Sequence, residues 1–238
     1  MGRRAVVLVG HHGYRTGAWW RDRYGDLDEH VLAARTAASV AYHLCERGWD
    51  VRLAANVAAQ RDSLFLKAHV LDEARADLAI ECHYGSNGKE GERGTRWAGV
   101  DASVFVGGMV PDESRYATGV NVVYLKLSDD QRALARCLVK HVNAQTGLGI
   151  ANDNGLDPRP LTGTTSIYLT HRVEPPFRPR RFHQDTWAGC PVVLLETCSL
   201  TSPSDREHIR EDPMFFTAVG YGAAAACDEF MDAQEADE

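Results

Sequence analysis

Apolar strand-like runs that alternate with amphipathic helical stretches predict an α/β layer fold, with a mostly parallel central sheet flanked by helices on both faces. Three observations carry this expectation. The runs Ala5–Val9, Leu78–Cys82 and Val192–Leu195 are short and almost wholly apolar, as strands covered on both faces of a parallel sheet are. The stretches Glu29 to Arg47, Ser63 to Arg75 and Ser128 to Gln145 place apolar residues near helical spacing. No repeat or linker divides the 238 residues, so residues 1–238 are expected to form one domain.

In chain order, Ala5–Val9 is the first buried strand. Residues His12 to Asp28 are rich in Gly, Arg and aromatics and read as a loop. A helix then begins at Asp28 or Glu29, with Val31, Leu32, Ala34, Ala38, Ala41 and Leu44 near helical spacing. Asp28 is suited to cap it, and Gly48 to end it. Asp50–Ala54 is a short strand, Ser63–Arg75 a helix, and Leu78–Cys82 the third strand. Residues 85–118 surround one short apolar run, Ala102 to Val106, and read as an insertion beside that strand's end, placed over the site. Gly119–Leu127 alternates like a strand, and Ser128 opens the next helix. Five prolines make Gly147–Ala188 loop-rich, although Ser166–Thr170 is compatible with a strand. After the strand Val192–Leu195, an alanine-rich helix spans Pro213–Met231, and the acidic tail beyond it is expected to fray.

The formal net charge of −7 argues against a nucleic-acid partner, whose protein surface is normally basic. No stretch is long and apolar enough to span a bilayer. Arg3-Arg4 before Ala5–Val9 resembles a signal peptide, but Gly10-His11-His12 cuts the apolar run short. The chain is therefore expected to be cytoplasmic as synthesised, or released as a phage lysin. The six cysteines form no CxxC pair and are expected to be reduced and mostly buried. Oligomeric state is not legible in the sequence.

Four residues fall where an α/β fold gathers chemistry. His11, His83 and Glu196 each follow an apolar strand run, and Glu29 opens a helix. Open α/β sheets bind ligands beyond the carboxyl ends of their strands. Two imidazoles and a carboxylate are a known catalytic zinc set with a position left for water, and a further carboxylate can handle protons. A charge such as Glu196 at the end of four apolar residues needs a partner or a role. On the residues alone His12 competes with His11, and Asp26 and Asp28 compete with Glu29.

The chain resembles the zinc-dependent N-acetylmuramoyl-L-alanine amidases of the cell-separation, spore-lysis and phage endolysin type. The family's strand followed by Gly-His-Gly-Gly, then Gly-Ala, is matched by Val9-Gly10-His11-His12-Gly13 and Gly17-Ala18. Its Glu opening an amphipathic helix is matched by Glu29, with Gly48 and Val51-Arg52-Leu53 following. Ala-Asp-Leu, a short apolar run and His is matched by Ala76-Asp77-Leu78-Ala79-Ile80-Glu81-Cys82-His83. Pro-x-x-Leu-x-Glu is matched by Pro191 through Glu196. The four motifs occur in order and span nearly the whole chain. The chain departs from the pattern at Leu8-Val9, where the family has an acidic residue and a proline. It departs again at His12 in place of Gly, at Glu81 in place of a small polar residue, at Tyr84-Gly85-Ser86-Asn87 and in the long insertion.

The resemblance implies one Zn2+ per chain held by His11, Glu29 and His83, with Glu196 as general base. It implies peptidoglycan or muropeptides as substrate, cut at the amide between muramic acid and L-alanine. Under that reading His12 is a substrate contact. Arg172 and Arg181, in the cluster with Arg178, Arg180, Phe177 and Phe182, are candidates to clamp stem-peptide carboxylates. Trp19, Trp20, Tyr84 and Trp97 are candidates to stack on sugars and equally to cover the core. The alternatives are a zinc amidohydrolase or carboxypeptidase acting on small acyl-amino acids or peptides, and a catalytically silent wall- or peptide-binding module.

Overall fold

A computed structural model describes residues 2–11, 18–22, 24–54, 70, 71, 73–85, 88–90, 103–106, 109–111, 118–125, 128–151, 154–159, 173–174, 178–179 and 190–237. The strands of its main sheet are β1 (Arg4–Val9), β4 (Asp50–Ala54), β5 (Leu78–Gly85), β9 (Asn121–Leu125), β10 (Leu156–Arg159) and β13 (Val192–Ser199). Their order is β10-β9-β13-β5-β1-β4. Every neighbouring pair is parallel except β13 with β9. The expected α/β architecture with a mostly parallel sheet is what forms.

The strands alternate their side chains between two cores. Ala5, Val7 and Val9 of β1, with Leu78, Ile80, Cys82 and Tyr84 of β5, face the larger one. Val6, Leu8 and Ala79 face a smaller one with Leu71 and Ala76. Both faces are dry, which is why β1 is an unbroken apolar run rather than an alternating one.

Among the described residues four helices are complete: α1 (Glu29–Glu46), α2 (Asp129–Thr146), α3 (Pro203–Glu211) and α4 (Phe215–Asp237). Asp28, Ser128 and Ser202 cap the first three through side chains that accept from Val31, Gln131 and Asp205 N–H. A cap stabilises by about 1 kcal/mol. Burying Leu32, Val40 and Leu44 of α1 stabilises by about 1.5–3 kcal/mol each. Caps therefore set where the helices begin, and burial decides that they form. α4 packs against α1 and α2 through close approaches at two glycines. A Cβ at Gly220 would lie 2.2 Å from Ser39 Oγ, and one at Gly222 would lie 2.8 Å from the His141 carbonyl oxygen. The second face is covered by Val70, Leu71 and Ala74, within the expected helix Ser63–Arg75. The rest of that helix up to residue 69, and the expected strand Ser166–Thr170, lie outside the described residues.

The structure differs from expectation in four places. The segment read as a loop before Asp28 holds β2 (Ala18–Asp22) and β3 (Gly25–Asp28). These join β6 (Gly88–Glu90), β7 (Ser103–Val106) and β8 (Met109–Pro111) of the insertion in a second sheet, ordered β3-β2-β7-β8-β6 and antiparallel throughout. The stretch read as loop-rich supplies β10 and a short antiparallel pair, β11 (Val173–Glu174) with β12 (Arg178–Pro179). Helix α3 lies in a stretch with no apolar periodicity. The acidic tail, expected to fray, is helical: α4 continues to Asp237, and Arg3 reaches Asp232 at 2.6 Å and Glu235 at 2.9 Å along its last turns.

The six cysteines are free; Cys82, Cys198 and Cys227 are buried and Cys45 is exposed. Among the described residues no helix is long and apolar enough to cross a membrane.

Candidate metal centre

The parallel register brings the carboxyl ends of β1, β5 and β13 to one edge, and α1 begins beside them. His11 leaves β1 in the left-handed region, with φ 57°. For a residue with a Cβ this costs about 1–2 kcal/mol, and it turns the chain just where the ring enters the site. Its Nε2 lies 2.8 Å from Glu29 Oε1. His83 places Nδ1 3.0 Å from the same oxygen. The two rings meet edge to face with centroids 4.9 Å apart. One donor atom from each of His11, Glu29 and His83 lies within 4.8 Å of the others, the one such cluster of three among the described residues.

Glu29 is only 4 % exposed, so its charge depends on these neighbours. Burial pushes its carboxyl up, but the hydrogen bonds and charges of His11 and His83 outweigh this and hold it well below the usual carboxylate range. For His83, burial pushes the ring down. Glu81 and Glu29 more than reverse that, and it is pushed up to about 10. Two imidazole nitrogens and a carboxylate oxygen drawn together around protons are the donor set that a borderline divalent ion such as zinc prefers. The residues present fit such an ion.

Glu196 lies beside His83 in the parallel register of β13 and β5. Registered neighbours share a face of the sheet, so both side chains stand on the site's side. The Glu196 carboxylate lies beside Gly85, where a Cβ would be in ordinary contact at 3.6 Å from Oε2. On the other flank of β13, Asn121 of β9 stands opposite Glu196.

All four of His11, Glu29, His83 and Glu196 thus gather at one edge of the sheet. Asp28 is not a ligand in this arrangement but the cap of α1, accepting from Val31 N–H at 3.2 Å. Asp26 is exposed on β3. The proposed substrate contacts His12, Arg172 and Arg181 lie outside the described residues. Tyr84 is not available to stack on a sugar: it is 1 % exposed, and its hydroxyl lies 2.7 Å from Thr36 Oγ1. Trp20 is also buried, under the Arg206 guanidinium at 3.6 Å.

Three supporting contacts went unread in the sequence. Gly10 lies so close to His83 that a Cβ would come 2.7 Å from Nδ1 and Cε1 of the ring and 2.5 Å from the Cys82 carbonyl. The Tyr84 backbone N–H donates to Glu29 Oε1 at 3.3 Å, a third contact on that oxygen. Glu81 Oε1 lies 3.3 Å from His83 Nε2. The period-two geometry of a strand was the available signal for the last contact, since residues 81 and 83 must share a face.

Three solved structures share the fold while being distant in sequence. CwlD amidase from Clostridioides difficile, solved in complex with the GerS lipoprotein, is 12 % identical with a TM-score of 0.67, covering 98 % of this chain and 100 % of that one. AmiC2 of Nostoc punctiforme is 16 % identical with a TM-score of 0.64, covering 97 % of each. The catalytic domain of CwlV from Bacillus (Paenibacillus) polymyxa is 19 % identical with a TM-score of 0.62, covering 97 % of this chain and 98 % of that one. No curated protein sequence matches. The family model described as N-acetylmuramoyl-L-alanine amidase matches residues 6–224. That span runs from Val6 in β1 to Ala224 in α4, and the chain belongs to the N-acetylmuramoyl-L-alanine amidase family.

Proposed function

We propose that this chain is a zinc-dependent hydrolase that cuts the amide between the lactyl group of N-acetylmuramic acid and L-alanine in peptidoglycan or its muropeptides. The observation that carries the reading is the convergence of His11 Nε2, Glu29 Oε1 and His83 Nδ1, with Glu196 registered beside His83. Family membership supports the bond and substrate class.

His11, Glu29 and His83 would hold the ion. Zinc supplies, when bound there, a Lewis acid that acidifies water and polarises a carbonyl. The protein's own groups do the rest. Glu196 takes a proton from the attacking water as the new C–O bond forms. It returns that proton to the alanine nitrogen as the C–N bond breaks, so the amine leaves neutral and the lactyl group leaves as the acid. Tyr84 N–H donates to Glu29 Oε1, so this carboxylate would stay oriented when the two imidazole nitrogens turn to the ion.

The test is digestion of purified sacculi, read as release of new L-alanine amino termini. Wild type is expected to bind about one zinc per chain, in line with the one three-donor cluster among the described residues, and to lose activity to chelator. Glu196→Gln is expected to keep the zinc and lose ~10²–10⁴-fold in turnover. Undiminished turnover in that variant would remove Glu196 from the chemistry. Cleavage of small N-acyl amino acids with sacculi left intact would move the substrate to the smaller class.

A further inference from the structure

We infer that Glu81 is a positioning residue of the metal centre: its carboxylate accepts the Nε2–H of His83 and thereby commits Nδ1, the other ring nitrogen, to the ion. The inference rests on the zinc reading above and adds a residue that the ligand set does not contain.

The geometry is that of a ring held at both nitrogens. His83 Nδ1 faces Glu29 Oε1 at 3.0 Å, and Nε2 faces Glu81 Oε1 at 3.3 Å. A neutral imidazole carries one N–H, and the nitrogen without it is the ligand. Once Nδ1 gives its lone pair to the ion, the ring's one proton belongs on Nε2, where Glu81 accepts it. A carboxylate behind a metal-bound histidine also makes the imidazole a stronger donor.

Two further features point the same way. Glu81 stands in an apolar floor. Its registered neighbours are Leu8 on β1 and Leu194 on β13, and the residue is only 5 % exposed. A carboxylate is costly in such a place unless strong polar contacts offset its desolvation. Opposite, the bare backbone of Gly10 lies against the His83 ring, where a Cβ would come 2.7 Å from Nδ1 and Cε1. A ring flip would put carbon atoms where both nitrogens now sit and lose the Glu29 and Glu81 contacts together. Gly10 thus fixes where the ring lies, and Glu81 fixes which way round it faces.

The experiment is zinc competition against a chromophoric chelator, on Glu81→Gln and Glu81→Ala in the full chain. Folding is checked by circular dichroism. The Ala variant is expected to bind zinc ~10–100-fold more weakly. The Gln variant is nearly isosteric and keeps an oxygen able to accept from Nε2, so its loss is expected to be smaller. With zinc held in excess, both are expected to recover most of the wild-type turnover, which a residue acting on substrate would not. Zinc-loaded wild type is expected to show a slowly exchanging His83 Nε2–H proton resonance that is missing from the Ala variant. Wild-type zinc affinity in both variants would overturn the inference and leave the ligand set standing. If the Ala variant does not fold, the Gln variant decides: affinity equal to wild type together with an unprotected Nε2–H overturns it. A wild-type protein that takes up no zinc would overturn the functional reading, and this inference with it.

Discussion

On one face of β5, Leu78, Ile80, Cys82 and Tyr84 are at most 1 % exposed and join the larger core. On the other, Ala79 belongs to the smaller core, Glu81 is a buried carboxylate and His83 opens into the candidate metal centre. Eight residues of one strand thus carry a structural face and a chemical face, separated only by the pleat. The comparison teaches where the site's precision comes from. Apolar packing on one side holds the strand still, and the other side can then afford buried charge near its carboxyl end.

Substitutions on the two faces should separate cleanly. His83→Ala carries the largest expected effect: zinc is lost and turnover on sacculi falls by ~10⁴-fold or more, as when a group essential to catalysis is removed. The variant should stay folded, as circular dichroism would show. Retained zinc stoichiometry would break the ligand assignment. Ile80→Ala, on the structural face and fully buried, should destabilise by ~2–5 kcal/mol in denaturant melts. Below its melting temperature it should bind zinc like wild type. A large change in zinc affinity would show that the faces are not separable.

Gly10→Ala lies between these cases. Its new methyl must displace the Cys82 carbonyl or the His83 ring, at a cost of ~1–3 kcal/mol as for overpacking. Unlike Ile80→Ala, it should weaken zinc binding as well. A variant with wild-type zinc affinity would mean that the ring moves freely.

The pH response sharpens the chemical face further. In zinc-free protein His83 is pushed up to about 10 by Glu81 and Glu29. A raised folded-state value means that the charged ring stabilises the fold fully below its ordinary value of ~6.5, and that this is lost as pH climbs towards 10. Glu29 is lowered, so its contribution is present above ~4.3 and lost as pH falls. Chelator-treated protein should therefore melt progressively lower from about pH 7 to about 10, and zinc-loaded protein should decline less. A flat profile for the chelator-treated protein would contradict the buried charge at His83. The smallest effect belongs to Arg3→Ala. The ion pairs to Asp232 and Glu235 are partly exposed, so ~0.5–1 kcal/mol is expected, with zinc affinity unchanged.

Legibility in the sequence follows the same physical line. β1, β5 and β13 were readable because strands covered on both faces must be apolar throughout. His11, His83 and Glu196 stood out because polar residues interrupt or end those runs. Their order, together with Glu29 at a helix start, carried the resemblance. The second sheet was not readable. β3 is Gly-Asp-Leu-Asp and β6 is Gly-Lys-Glu, and neither holds enough apolar residues to signal a strand. What fixes β3 is its pairing, with Leu27 opposite Trp20, and Trp20 lies under Arg206 from a helix nearly two hundred residues away. β10 carries a proline, Pro158, which the outermost strand of a sheet tolerates. The order of α4's end was hidden for a similar reason: Asp232 and Glu235 look like a solvated tail until Arg3, from the opposite end of the sequence, is brought beside them.

The left-handed backbone at His11 sets the torsional preference of that position against the side chain the site needs there. At most positions glycine is a poorer replacement than alanine, but here it relieves the torsion that every side chain with a Cβ must tolerate. In a mutational library sorted only for thermal tolerance, glycine should outrank alanine at position 11, since both lose the contact with Glu29 and only glycine relieves the torsion. Sorting the same library for wall lysis should admit histidine alone, so the torsional preference would show only among variants that have already lost the imidazole.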